Sequence, residues 1–593
     1  MIAILKNIVG ASIKSYVLLL LSFLVVACFE VVGIGVIPVF VAAIAAPEML
    51  HGKLDFLLNQ QGRSQEQVVL VLGGALVFFF LLKNVLLAVI ASMQARFIAN
   101  CQADLSSLLF RSYLRQSYVF HLGRHSAELL RNVTGVTFSF FSGVIVPGCV
   151  LITELIVAIT VAVLLMFANP ISTLVAVTFL AIFMLAFYRV FKAKIEELGA
   201  IQQADAAEMV KCVNQGLGGL KEAKVLGRES FFIERFEHYI RSYSRANNHF
   251  GVINQVPRYF IESLTVVGIV LIVVVMFMQG NSAAAVIPVL SLFAVAAIRL
   301  IPSANRILGS VTSIRFNKAT IDILGRELAM VDSSAKQVAE EPARQPFNKM
   351  LRLEGLSFFY PHADRAALQD ISIAIPKGSM VAFVGKSGAG KSTLADIILG
   401  LYGPTSGSMS VDGLDISDDI SGWQKNIGYV PQSIYISDDS IRSNVAFGVA
   451  ETEIDDEKVR AALGNAQLLE FVDGLPEGSK TVIGEHGSRL SGGQRQRIGI
   501  ARAMYHNPDV LVMDEATSAL DNKTEDDIAN ALQALKGVKT IIVIAHRLST
   551  IKRSETLFLL SEGKLLGSGS YDDFAANNEA FRQLMNTQSY EVP

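Results

Sequence analysis

The chain has 593 residues, of which 52% are apolar and 18% are charged, and its formal net charge is −2. The near-neutral charge gives no sign of nucleic-acid binding. The apolar excess lies before about residue 310, which excludes a protein built only of soluble domains. The four cysteines have no disulfide or metal-ligand spacing and are predicted to be packing residues. They are Cys28, Cys101, Cys149 and Cys212.

Six apolar runs in the first half of the chain are long enough to cross a membrane, which takes about 20 mostly apolar residues. They lie near residues 16–46, 68–93, 144–168, 171–190, 259–278 and 284–304. The fourth and sixth runs are also compatible with buried core helices, because prolines bound or interrupt them. We expect residues 1–330 to form an all-α transmembrane domain of six helices with long cytoplasmic extensions.

Charge predicts the orientation of these spans. The stretch between the second and third runs carries five arginines and two acidic residues, a bias typical of cytoplasmic loops. Short helices near 115–122 and 218–227 are predicted to press on a cytosolic domain, although solvated helices would have the same pattern. The segment 47–67 is either an interfacial helix or an ordinary loop.

Ionisable residues inside the spans are the candidates for substrate contact. Glu30 lies in the first run and Arg299 in the sixth, and Glu154, Glu262 and Arg258 lie in or near the third and fifth runs. A charge in a span costs at least a few kcal/mol, so it faces a cavity or pairs with a partner. These residues are therefore predicted either to line a cavity that binds a polar headgroup or to form ion pairs within the helix bundle.

A polar linker is expected at 331–350, followed by an α/β domain at 351–593. In this domain the apolar run Met380–Val384 precedes the sequence GKSGAGKS, which has the strand, loop and helix context of a phosphate-binding loop. Lys391 is predicted to reach the β- and γ-phosphates of ATP, and Ser392 to bind Mg²⁺. The residues predicted to surround the phosphates are Gly385, Lys386, Ser387, Gly388, Ala389, Gly390, Lys391, Ser392 and Thr393.

Two further apolar runs end in polar residues. The run DVLVMDE ends in Asp514 and Glu515, and the run TIIVIAH ends in His546. At the carboxyl edge of a parallel sheet, Asp514 could hold Mg²⁺ and Glu515 could polarise the attacking water. A histidine after a strand is more often structural, but its position beside two phosphate-handling strands favours contact with the γ-phosphate.

Together these motifs resemble the ATP-binding cassette family, and the resemblance covers the whole chain. It implies that Tyr360 stacks on adenine, that Gln432 senses Mg²⁺ and that His546 is the switch histidine. The cassettes of this family work as a head-to-tail pair, so we expect a homodimer. The residues that would reach the partner's nucleotide site or cross between the cassettes are Ser491, Gly492, Gly493, Gln494 and Asp521.

A weaker resemblance is to bacterial flippases of lipid-linked oligosaccharides, which are half-transporters with the type IV exporter fold. The sequences ACFEVVGIGVIPVF, GLKEAKVLGRESFF and AIRLIPSANRI carry it. It implies an ATP hydrolase of the bacterial inner membrane, with its cassette in the cytosol and a polyprenyl-pyrophosphate glycolipid as substrate. A multidrug or lipid exporter is the main alternative. An ATP-gated channel or regulatory subunit is disfavoured, because Glu515 and His546 are both present.

Overall fold

The computed structural model describes residues 13–45, 65–168, 170–278, 283–334, 343–361, 363–514, 530, 532–545 and 547–589. The chain divides into two compact units. One comprises residues 1–116 and 123–337, and we call it the membrane unit. The other comprises residues 117–122 and 338–593, and we call it the cassette unit.

Long and short helices make up the described part of the membrane unit. They are α1 (Ile13–Ala45), α2 (Gln65–Arg115), α4 (Ser126–Arg131), α5 (Thr137–Phe140), α6 (Val146–Ala168), α7 (Pro170–Gly218), α8 (Leu220–Val225), α9 (Glu229–Met278), α10 (Ala283–Phe316) and α11 (Lys318–Ser334). The short helix α3 (Tyr118–Leu122) lies between α2 and α4 in the sequence but belongs to the cassette unit. Each of the six predicted apolar runs lies in α1, α2, α6, α7, α9 or α10, apart from terminal residues, so the prediction of a helical transmembrane domain is confirmed.

Several helices extend far beyond the predicted spans. Helix α2 has 51 residues, α7 has 49 and α9 has 50. At 1.5 Å per residue such a helix is about 75 Å long, against about 30 Å for the hydrocarbon core of a bilayer. Within the described residues, four segments are long and apolar enough to cross a membrane, namely Val17–Ile37, Val69–Arg115, Ser126–Phe167 and Thr173–Gly218.

Two π-helical turns interrupt the third long helical segment. They span Asn132–Val136 and Phe141–Ile145, between α4 and α5 and between α5 and α6. The second turn packs closely on α10, because the Ser313 hydroxyl donates to the Gly143 carbonyl at 3.0 Å. Bulges of this kind redirect a helix without ending it.

The cassette unit contains two sheets. Its strands are β1 (Met350–Phe358), β2 (Leu368–Pro376), β3 (Met380–Val384), β4 (Ser406–Val411), β5 (Leu414–Asp415), β6 (Ile427–Val430), β7 (Val510–Asp514), β8 (Thr540–Ile544), β9 (Thr556–Ser561) and β10 (Lys564–Gly569). The smaller sheet is antiparallel with the order β2-β1-β4-β5. The larger has the order β10-β9-β3-β8-β7-β6, and β9, β3, β8, β7 and β6 run parallel.

Helices complete the cassette unit on both sides of the larger sheet. They are α12 (Lys391–Ile398), α13 (Ile420–Gln424), α14 (Ile441–Val445), α15 (Asp456–Asn465), α16 (Leu469–Asp473), α17 (Gly492–Met504), α18 (Leu548–Arg553), α19 (Tyr571–Asn577) and α20 (Glu579–Ser589). Alternate residues of the central strands enter two different cores: Ala382 packs in one and Phe383 in the other. A parallel strand buried on both faces reads as a continuous apolar run, as β3 does.

The predicted linker 331–350 is not one uniform segment in the structure. Its first four residues belong to α11, which ends at Ser334, and residues 335–342 lie outside the described residues. Residues just before β1 are held by the cassette unit. The Asp412 carboxylate accepts backbone hydrogen bonds from Asn348, Lys349 and Met350 at 2.6 to 2.9 Å, and Phe347 is buried against Trp423.

Candidate active site

A glycine-rich loop connects β3 to α12. Gly388 and Gly390 have φ angles of 78° and 100°, the left-handed region that favours glycine. A Cβ atom on Gly390 would lie 2.8 Å from Leu368 Cδ2 and 2.9 Å from the Ala367 carbonyl oxygen. Only glycine therefore fits there, and the loop can turn its backbone N–H groups toward an anion.

Lys391, the first residue of α12, is folded into this loop. Its side chain is 5% exposed, and its ammonium donates to the carbonyls of Gly385 at 2.8 Å and Lys386 at 3.1 Å. The ammonium is thus fixed at the loop, at the start of a helix whose dipole also favours negative charge. The exposed residue Ser392 follows it.

Tyr360 lies beside the same loop. Its hydroxyl and the Thr393 hydroxyl are 2.9 Å apart, which joins the end of β1 to α12. The Tyr360 ring also meets the rings of Phe358 and Tyr402 edge to face, with centroids 5.1 and 5.8 Å apart. The predicted adenine contact and the predicted phosphate loop are therefore parts of one packed cluster.

The carboxyl ends of neighbouring parallel strands gather the other predicted residues on one edge of the sheet. Asp514 ends β7 and is half-buried, whereas the four residues before it are buried. Gln432 follows β6 and is exposed. Because β3, β8, β7 and β6 are consecutive in the sheet, these residues share the edge that carries the phosphate loop.

A carboxylate that the sequence did not single out lies near Asp514. Burial raises the pKa of Asp396, on α12, to about 6, and the negative charge of Asp514 adds to this effect. Burial together with the same two carboxylates raises the pKa of Tyr429 to about 12. This edge therefore carries a concentrated negative charge, which a divalent cation would neutralise, so the residues fit a bound Mg²⁺.

The sequence LSGGQ forms the start of α17. The Ser491 hydroxyl accepts from the Gln494 backbone N–H at 3.2 Å, and the Gln494 side chain accepts from the Ser491 N–H at 2.8 Å. This reciprocal capping box gives both residues a local role in starting the helix. Gly492 and Gly493 lie between them, half-buried.

Glu515, Asp521 and His546 lie outside the described residues. Their neighbours are described: Asp514 ends β7, and Ala545 follows the end of β8.

In the membrane unit, several charged residues form ion pairs. Lys83 on α2 donates to Glu30 on α1 at 2.9 Å, and its ammonium lies 5.2 Å from the centre of the Phe80 ring. A Cβ atom on Gly33 would lie 3.3 Å from the Lys83 Nζ atom, so glycine leaves room for the ammonium. The sequence predicted that Glu30 either faces a headgroup cavity or forms an ion pair within the bundle. The structure shows the ion pair.

Two arginines on α9 and α10 are also held by carboxylates. Arg258 donates to Glu262 one turn along α9 at 2.9 Å. Arg306 donates to Glu154 at 3.0 Å, and the same carboxylate accepts from Ser303 at 2.6 Å. Sequence analysis did not single out Lys83 or Arg306. The cost of placing a charge in a span was a signal for Lys83, whereas Arg306 lies two residues beyond the sixth predicted run. Arg299 lies on α10, and its side chain is outside the described ones.

We expect Lys83→Met to destabilise the membrane unit strongly. The pair it breaks is mostly buried, with the side chains of Lys83 and Glu30 7% and 17% exposed. Breaking one side of a buried ion pair costs about 3–5 kcal/mol. Thermal unfolding of the protein in lipid measures the loss, and the double change of Lys83→Met with Glu30→Gln should recover part of it. Lys194→Met, which breaks an exposed pair with Glu197, is the matched control; an equal loss there would contradict the assignment.

Comparisons with known proteins agree with this architecture. The family model described as ABC transporter transmembrane region matches residues 18–300, and the one described as ABC transporter matches residues 368–518. An ATP-dependent lipid A-core flippase of Dechloromonas aromatica (strain RCB) is 31% identical over 71% of this chain and 70% of its own. The chain belongs to the ABC transporter family.

Other members of this family are also similar to the chain. An ATP-dependent lipid A-core flippase of Thiobacillus denitrificans (strain ATCC 25259 / T1) is 30% identical over 78% of each chain. The solved structure of a bacterial Atm1-family ABC exporter with ATP bound has a TM-score of 0.78 at 25% identity and covers 98% of this chain and 99% of its own. The ABC transporter described here is therefore an integral membrane protein with the exporter fold, and it couples ATP hydrolysis to transport.

Proposed function

We propose that this ABC transporter is a flippase for a lipid with an anionic headgroup, and more narrowly for a polyprenyl-pyrophosphate-linked oligosaccharide. Its relatives named lipid A-core flippases support a lipid substrate. The two arginines held on α9 and α10 support an anionic headgroup. We propose that it works in a bacterial inner membrane with its cassette in the cytosol, an orientation supported by the basic loop after α2.

The observation that carries the headgroup proposal is that Arg258 and Arg306 both lie near one contact between α9 and α10. The Thr312 hydroxyl donates to Asn254 at 2.9 Å, which aligns the neighbouring helices α9 and α10. Arg258 lies four residues after Asn254 and Arg306 lies six residues before Thr312, so both arginines are within two helical turns of this contact. Their side chains are 69% and 48% exposed.

Each arginine keeps donors for a ligand. A guanidinium has five N–H donors, and one carboxylate uses at most two of them. The carboxylates of Glu262 and Glu154 therefore orient the arginines without using up their hydrogen-bonding capacity. The guanidinium N–H groups that the carboxylates leave unused can donate to the oxygens of a phosphate group. Arg299, two turns before Arg306 on α10, is a further candidate for headgroup contact, and Glu30 contributes to the polar character of α1.

We propose the following roles in the nucleotide site, which its geometry and membership of the family support. Tyr360 stacks on adenine, the backbone from Gly385 to Thr393 surrounds the phosphates, and Lys391 meets the β- and γ-phosphates. Ser392, Gln432 and Asp514 hold Mg²⁺. Bound ATP supplies the phosphoanhydride bond whose hydrolysis drives transport. Glu515 positions and polarises the attacking water, and His546 contacts the γ-phosphate.

The proposed functional transporter is a homodimer of this chain. Ser491–Gln494 and Asp521 would serve the nucleotide site of the partner, so each site draws on two chains. Exposed apolar residues around α8 also support a partner, because Val225 and Leu226 are 79% and 70% exposed. Apolar side chains this exposed on a short helix are suited to contact with another protein surface.

The experiment is an ATPase assay of the purified protein in lipid, with and without a polyprenyl-pyrophosphate-linked oligosaccharide. We expect stimulation by this lipid, and we expect Arg258→Gln combined with Arg306→Gln to remove the stimulation. Arg241→Gln is the matched control, because Arg241 forms an exposed pair with Glu237 on the same helix.

Two other outcomes would change the assignment. Stimulation by lipid A-core alone would keep the flippase and refute the narrower substrate. Stimulation by unrelated hydrophobic amphiphiles, unaffected by the arginine changes, would identify a multidrug or general lipid exporter.

A further inference from the structure

One buried carboxylate holds both ends of the loop that carries α3. Glu327, on α11, is 4% exposed. Its Oε2 atom accepts from the Tyr113 hydroxyl at 2.7 Å, and its Oε1 atom accepts from the Arg124 guanidinium at 2.8 Å. Tyr113 precedes α3 and Arg124 follows it, so the loop between them is closed on a single side chain.

Arg124 also contacts a second residue of α11. A second nitrogen of its guanidinium lies 3.3 Å from the Met330 sulfur, close to one turn beyond Glu327. Burial disfavours the charged form of Arg124, but the hydrogen bond to Glu327 and the negative charge of this carboxylate outweigh burial and raise the pKa of Arg124. Both contacts hold Arg124, which follows α3, against α11.

The helix inside this loop is part of the cassette unit. Tyr118 of α3 lies against Tyr402, with ring centroids 5.9 Å apart, and Val119 packs on the same apolar core. Tyr402 in turn contacts Tyr360 at 5.8 Å and stacks on Phe358 at 5.2 Å. A continuous set of aromatic contacts therefore leads from the predicted adenine contact to α3.

We propose that Glu327 is a positioning residue for coupling: it fixes the ends of the α3 loop so that movement at the nucleotide site reaches α11 and α10. A loop held at both ends transmits displacement, whereas a loose loop absorbs it. The proposal rests on the coupling of ATP hydrolysis to transport and not on the identity of the lipid. Glu327 itself lies in the membrane unit and has no role in ATP chemistry.

The test is hydrogen–deuterium exchange of the full-length protein in lipid nanodiscs, with and without ATP and vanadate. In the parent protein we expect nucleotide to change exchange both in the phosphate loop at 385–392 and in α10 at 305–316. In Glu327→Ala the change at the phosphate loop should remain, while the change in α10 should fall by roughly twofold to thirtyfold, the effect of losing about 0.5–2 kcal/mol of coupling. ATPase activity should persist.

Further variants separate coupling from general stability. Tyr113→Phe removes one of the two bonds and should give an intermediate response, and Glu327→Gln keeps an acceptor oxygen and should recover part of it. Glu237→Ala, which breaks an exposed pair on α9, should respond like the parent. A parental response in Glu327→Ala would overturn the proposal, as would parallel losses in the phosphate loop and in α10. Since no transported lipid is needed, this result is independent of the substrate assignment.

Discussion

Lys391→Ala is expected to lower ATP turnover by on the order of 10² to 10³, the usual loss when one preorganised donor to a developing charge is removed. The ammonium is buried and anchored by two loop carbonyls, so no neighbouring side chain can take its place without rebuilding the loop. Nucleotide capture should weaken as well, because the charge meets the phosphates before and during the reaction.

Turnover and equilibrium binding of a fluorescent ATP analogue measure the two effects separately. Lys386→Ala is the matched control, since it makes the same substitution in the same loop on an exposed side chain. Control and variant losing activity equally would mean that the loop, and not the Lys391 charge, is responsible. Unchanged binding in Lys391→Ala would contradict a ground-state contact with the phosphates.

Glu515→Gln should lower turnover by about 10² to 10⁴, the range associated with loss of a general base. Glutamine has nearly the same shape as glutamate but cannot accept the proton of the attacking water. ATP binding should survive, because the anchored lysine and the loop backbone do not depend on this carboxylate. The cassettes of two chains should therefore stay together with ATP trapped between them.

Retention of radiolabelled ATP by the full-length protein, measured beside steady-state hydrolysis, checks this prediction. Glu555→Gln serves as control, because Glu555 forms a partly exposed pair with Lys536 away from the sheet edge. Turnover that persists in Glu515→Gln would exclude Glu515 as the base. Loss of ATP retention together with turnover would point to a binding role for the carboxylate.

The phosphate loop could be predicted from sequence because its constraints are local. Gly388 is required by its backbone angle, and Gly390 by its backbone angle and by the close approach of Ala367; Lys391 follows Gly390 in the chain. The strand before the loop was also evident, because a parallel strand buried on both faces is apolar throughout. Such features depend on a few consecutive residues.

Contacts between distant residues could not be predicted in this way. Glu30 was identified as a costly charge, but its partner Lys83 is 53 residues away and is defined only by the packing of α1 on α2. Asp396, on α12, was missed because its altered pKa arises from burial and from Asp514 at the end of β7. The aromatic contact of Tyr118 with Tyr402 likewise needs the fold.

The length of the membrane helices has a mechanical consequence. Helices α2, α7 and α9 have 49 to 51 residues each, and each is about 75 Å long. If one end of such a rod is held, a tilt of about 5° moves the other end by about 6–7 Å, more than one helical turn of 5.4 Å. Modest rotations about a fixed point are thus amplified into displacements as large as a side chain, and these long helices act as levers.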